Sequence, residues 1–164
     1  MTSRTLPTAP IERRHLVACL VAAGCEPVLN TATQLTEGLT VTPLQPAESG
    51  LALMQWRDAV QHQPFFLGEV PMARAAFTMG NHPGASAQGG AGGKGGDPAL
   101  GQALAVLDAV VAQRWPGAEA VDALAQRGAQ ARDRVRAVRQ AGLKRTRVDF
   151  ALLAEADDES EADA

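Results

Sequence analysis

Near the start of the chain, apolar residues recur at helical spacing. Ile11, Leu16, Leu20 and Ala23 lie three to five residues apart, which predicts one amphipathic helix closed by Gly24. A second, short helix is expected from Pro27, a residue suited to a first helical turn, through Val28, Ala32 and Leu35 to Gly38. Together they read as a helical hairpin.

From Leu39 the period changes. Thr40-Val41-Thr42 is β-branched, and the run Leu51-Ala52-Leu53-Met54-Gln55-Trp56 is bounded by Gly50 and Asp58. A third run, Phe65-Phe66-Leu67-Gly68-Glu69-Val70, leads past Pro71 into a stretch where Ala73, Ala75, Phe77 and Met79 alternate with Arg74, Ala76 and Thr78. Four short strands at hairpin spacing predict an antiparallel sheet with one face covered by helices. Residues 80–96 then hold eight of the sixteen glycines. With so few side chains to bury, this segment is expected to be a long mobile loop.

Asp97-Pro98 is a strong helix start, an N-cap followed by proline at the first helical position. Leu100, Leu104, Leu107 and Val111 give that helix an apolar stripe, and Trp115-Pro116-Gly117 ends it. A last helix from about Ala118 carries Val121, Leu124, Gly128, Ala131, Val135 and Val138 as a seam, with Arg132, Arg136 and Arg139 on another face. Gly128 and Ala131 would let a neighbouring backbone come close. The expected class is α+β, helices packed on a small antiparallel sheet. The organisation is a polar leader over residues 1–10, one domain over 11–153 and an acidic tail over 154–164 expected to be disordered.

Composition sharpens this picture. The 164 residues allow one domain with a real core, and no run approaches the roughly 20 apolar residues of a bilayer span. No membrane is expected, and a leader with no apolar run before Leu16 is no secretory signal, so the expected location is cytoplasmic. Six aromatic rings against 32 alanines imply helices packing closely through small side chains. So few rings also argue against base-stacking modules. The net charge of -3 hides a segregation, because residues 155–164 carry six acids and no base while eight of the fifteen basic residues lie between Arg127 and Arg147.

Motifs for chemistry are sparse. Gly90, Gly92 and Gly95 satisfy G-x-G-x-x-G, but a glycine-dense stretch does so by chance. A phosphate loop fails because Gln88 stands at its first glycine and Gly95 follows Lys94 where Ser or Thr would bind magnesium. Cys19 and Cys25 with His15, His62 and His82 complete no zinc pattern, and both thiols read as small buried hydrophobes. His15 and Cys19, one turn apart, lack an acidic third partner. Asp108 sits where it can be solvated or bind a neighbour, and no residue is nominated as catalytic, cofactor-binding or metal-binding. The basic 127–147 stretch offers an alternative reading as a free-standing nucleic-acid-binding protein, disfavoured by the missing aromatics.

Several segments in order resemble one family. Glu48-Ser49-Gly50-Leu51, Phe65-Phe66-Leu67-Gly68-Glu69, Arg74-Ala75, Asp97-Pro98 with Val106-Leu107-Asp108-Ala109, and Thr146-Arg147-Val148-Asp149-Phe150 look like the landmarks of PhnG. PhnG is a small subunit of the bacterial carbon-phosphorus lyase system. One departure is Gly95-Gly96-Asp97, where the family usually has Gly-Arg-Asp.

The resemblance implies a core complex with PhnI, PhnH and PhnJ, assisted by PhnL. That complex displaces adenine from ATP by a phosphonate, as an alpha-D-ribose 1-methylphosphonate 5-triphosphate synthase. PhnJ later breaks the carbon-phosphorus bond with an iron-sulfur cluster and S-adenosylmethionine. Two cysteines cannot hold such a cluster, so this chain is expected to be a non-catalytic or site-completing subunit with no cofactor of its own. The residues expected at partner interfaces are Arg147, Val148, Asp149 and Phe150, with Arg74, Phe65 and Phe66.

Overall fold

A computed structural model describes residues 11–80 and 86–145. The elements run α1 (Arg13–Ala23), α2 (Cys25–Thr36), β1 (Thr40–Arg57), β2 (Pro64–Gly80), β3 (Ser86–Lys94), α3 (Pro98–Ala112) and α4 (Ala118–Arg145). They divide into two compact units, 1–132 and 133–164, with the boundary inside α4. The first holds an antiparallel sheet of order β1-β2-β3 with helices packed on it, the expected α+β class. In the second, the described residues 133–145 are helical and exposed.

The helical hairpin forms as the periodicity indicates, with the chain bent by 115° at the break between α1 and α2. Leu16, Cys19 and Leu20 of α1 and Val28 and Ala32 of α2 are buried in the main core. The second helix begins at Cys25 rather than Pro27, which leaves Cys25 exposed and only Cys19 buried.

The third helix is more deeply enclosed than one stripe implies. Ten of its fifteen residues are buried, including the unbroken run Ala103–Val110, because it is apolar on nearly every side. Leu104 and Leu107 join Leu16, Leu20, Val121 and Leu124 in the main core; a fully buried leucine contributes about 1.5–3 kcal/mol. Its small residues Gly101, Ala105 and Ala109, one turn apart, face the sheet. Ala105 packs with Ala75 and Phe77, and Gly101 approaches the backbone of Arg74. Asp97 caps the helix as expected, accepting from the Ala99 N–H at 2.9 Å.

Two strand expectations need correction. The four short strands are two long ones, β1 and β2, because Pro43 and Pro46 are absorbed at register shifts and Pro71 pairs opposite Leu51 without ending the strand. More consequentially, the glycine-rich segment is not one loop. Residues 86–94 form β3, paired antiparallel with β2 from Gly80↔Ser86 to Met72↔Lys94, while 81–85 lie outside the described residues.

The physical reason is the spacing between layers. A Cβ on Gly89 would collide with the Ala105 carbonyl and the Ala109 amide and stand 2.7 Å from the Ala109 Cα. Glycine therefore places the helix backbone directly on the strand backbone, and the ladder hydrogen bonds with close packing offset the entropy that argues for a loop.

In α4, Val121, Leu124, Ala125 and Gly128 are buried. A Cβ on Gly128 would collide with the Cys19 carbonyl, so the close approach expected there is real. The seam stops at that point: Val135 and Val138 are exposed. Arg147, Val148, Asp149 and Phe150, the leader and the acidic tail lie outside the described residues.

Gly89→Ala is expected to lower unfolding free energy by about 1–3 kcal/mol through overpacking. Gly92→Ala, whose Cβ would meet nothing nearer than 3.9 Å, is expected to be neutral or slightly stabilising. Urea denaturation of both variants checks this, and equal effects would contradict the interlayer contact.

A candidate partner-binding arm

Beyond the region paired with β3, the two long strands continue alone. From Gly50 to Arg57 and from Pro64 to Glu69 every residue is exposed. This two-stranded arm closes through Asp58, whose carboxylate accepts from the N–H groups of Val60 at 3.2 Å and Gln61 at 2.5 Å. The Asp58 N–H donates to the Gln63 carbonyl at 3.0 Å, so the turn is held from within.

Strand register assigns the faces. Directly opposed residues share a side. Leu51 opposite Pro71, Leu53 opposite Glu69 and Gln55 opposite Phe66 therefore lie on one face. This is the face that α3 covers further along, where Ala73, Ala75 and Phe77 are buried. Met54 and the pair Trp56–Phe65 lie on the other. A register shift after Met54 makes room for Leu67.

Both faces carry large apolar side chains in water: Leu51, Leu53 and Phe66 are 60–66% exposed, and Trp56 is 55% exposed. Trp56, Phe65 and Phe66 are half of the chain's six aromatic rings. Exposed aromatics clustered on one element mark a contact surface rather than a fold requirement.

Arg74 meets another of the resemblance landmarks. It lies opposite Glu48 across β1 and β2, with its Nε donating to Glu48 Oε1 at 2.8 Å. The Gln45 amide also donates to Oε1, at 2.8 Å. These contacts, Gln45 first and then Arg74, hold the Glu48 carboxyl below the usual carboxylate range. The pair borders a groove of about 480 Å³ lined by Gly50, Leu51, Met72 and Gly92. Because Arg74 is already bound to Glu48, the groove presents a neutralised pair rather than a free cation.

The buried charged side chain among the described residues is Asp108 on α3. It accepts from Arg13 Nε at 2.8 Å and Arg13 NH2 at 2.7 Å, and from the Gly90 N–H at 3.1 Å. Asp108 in turn raises the pKa of Arg13. A carboxylate filled by a bidentate arginine and a strand amide ties α1 and β3 to α3, and it is a structural anchor.

Among the described residues, the sequence-derived sites fall at two places. Phe65 and Phe66 sit on the arm, Arg74 pairs with Glu48 where the arm meets the helix-covered sheet, and Arg147 to Phe150 lie outside the described residues. Sequence reasoning did not single out the exposed Leu51, Leu53, Met54 and Trp56 as candidate contact residues. Their signal was a continuous apolar run where a strand with one wet face alternates. Among the described residues, no single helix is long and apolar enough to cross a membrane.

A family model described as phosphonate metabolism protein PhnG matches residues 11–155. Comparison with curated proteins finds no match.

Arg74→Ala is expected to move the Glu48 titration midpoint upward, toward but not fully to the ordinary value, because Gln45 remains. The folded-state pKa is depressed, so the stabilisation is present above the unfolded glutamate pKa and lost as pH falls through the folded one. Carboxyl-carbon NMR across an acid titration measures the midpoint, and an unchanged value would contradict the pairing.

Proposed function

The chain belongs to the PhnG family of phosphonate metabolism proteins, and from that membership we propose that it is a non-catalytic or site-completing subunit of the carbon-phosphorus lyase complex. In this reading it works in the cytoplasm with PhnI, PhnH and PhnJ, and with PhnL assisting. The assembly transfers the ribose triphosphate of ATP to a phosphonate with release of adenine. ATP is the substrate of the assembly, and the iron-sulfur cluster and S-adenosylmethionine belong to partner subunits.

The observation that carries the subunit reading is the exposed apolar arm over residues 50–57 and 64–69. A self-sufficient small protein rarely leaves so large an apolar patch in water, since its burial against a partner is favourable by about 25 cal/mol per Å². Phe65 and Phe66 supply area on the arm. Arg147, Val148, Asp149 and Phe150 form a second contact in this reading, with Phe150 as the apolar anchor and Arg147 and Asp149 giving oriented polar contacts.

Tagged chain co-expressed with PhnI, PhnH and PhnJ is expected to purify with all three, and loss of its gene to abolish growth on a phosphonate as sole phosphorus source. If the tagged chain emerges alone while the other three assemble without it, the subunit reading fails. Phe150→Ala is expected to reduce the co-purified fraction while leaving the melting temperature of the isolated chain nearly unchanged.

A further inference from the structure

We propose that the β1–β2 arm is inserted into an apolar cleft of a second, different polypeptide that covers both of its faces; this rests on the subunit reading above. Leu51, Leu53 and Phe66 occupy one face, and Met54, Trp56 and Phe65 the other, and all six are exposed. A symmetric contact with a second copy through one face would leave the opposite face in water. A cleft takes both.

These six side chains leave on the order of 600–700 Å² in water, against about 800 Å² per partner in a stable interface. Leu67, 57% exposed at the register shift, adds to this surface. The face bearing Leu51 and Leu53 prolongs the one that α3 covers at Ala73, Ala75 and Phe77, so a partner element on it continues an existing layer of packing.

Charge sets the remaining chemistry. Glu69 lies opposite Leu53, and Arg57 closes the strand at Pro64; both are exposed. The cleft is therefore apolar within, carrying a basic group toward Glu69 and an acidic group toward Arg57. The two open strand edges beside residues 50–57 and 64–69 also allow the cleft wall to add backbone hydrogen bonds.

The test uses the full chain in a Cys25→Ser background, which removes the exposed thiol and leaves Cys19 buried. Single Leu53→Cys and Trp56→Cys variants report on the two faces. On co-assembly with PhnI, PhnH and PhnJ, maleimide labelling is expected to slow about ten-fold or more at both positions as they leave solvent. Leu53→Asp and Phe66→Asp are expected to keep the far-ultraviolet circular dichroism of the wild type and to lose co-purification.

Protection on one face only, or unimpaired assembly of both Asp variants, overturns the cleft while the subunit reading stands. Wild-type chain that fails to assemble at all overturns both. Sedimentation of the isolated chain is expected to show a monomer; a dimer abolished by Leu53→Asp would assign the arm to a second copy and overturn the proposal.

Discussion

The structure of the first unit depends on how closely α3 lies against the sheet. Helix and strand backbones come together where Gly89 meets Ala105 and Ala109, at a separation that no side chain larger than hydrogen permits. That contact requires a strand of small residues on one side and a helix stripe of Gly101, Ala105 and Ala109 on the other. Glycine is a poor strand former in isolation. Here the missing side chains allow van der Waals contact along the interlayer, and the strand exists because the helix does.

From that approach the polar anchor follows. With β3 pressed onto α3, the Gly90 N–H lies 3.1 Å from the Asp108 carboxylate, and Arg13 completes the site from α1. A carboxylate at 4% exposure would be costly alone. Three charge-assisted hydrogen bonds offset that cost and fix the position of α1 against strand and helix. Leu104 and Leu107 of α3 pack in the main core with Leu16, Leu20, Val121 and Leu124.

Much of this was legible in the sequence. The Asp97-Pro98 start, the hairpin of short helices and the inward alternation Ala73, Ala75, Phe77, Met79 stand where local pattern puts them, because cap chemistry and periodicity are local signals. The third strand was not legible, since glycine composition reports freedom in the unfolded chain and says nothing of a helix 18 residues away in sequence whose carboxylate binds the strand. The exposure of Val135 and Val138 escaped for a related reason: a seam pattern shows that a face is apolar, not that anything covers it. At the candidate site, Phe65 and Phe66 were picked out by resemblance and prove exposed on the arm. The apolar residues of β1 in the arm were read only as a strand, because a mostly apolar run looks the same whether both faces are buried in a fold or await a partner.

A chain poor in rings has placed Trp56, Phe65 and Phe66 in solvent, while leucine, valine and alanine with Phe77 and Met79 fill the core of its first unit. That core closes without the three exposed rings, which the proposal leaves for contact with a partner. Hydrogen exchange on the isolated chain and on the chain assembled with PhnI, PhnH and PhnJ tests that division most directly. The β3 amides over 86–94 that point toward β2 are expected to be protected in both states, whereas the amides over 50–57 and 64–69 that point away from the β1–β2 ladder gain protection only on assembly. Rapid exchange of β3 in the isolated chain, or an arm whose exchange is unchanged by assembly, would contradict it.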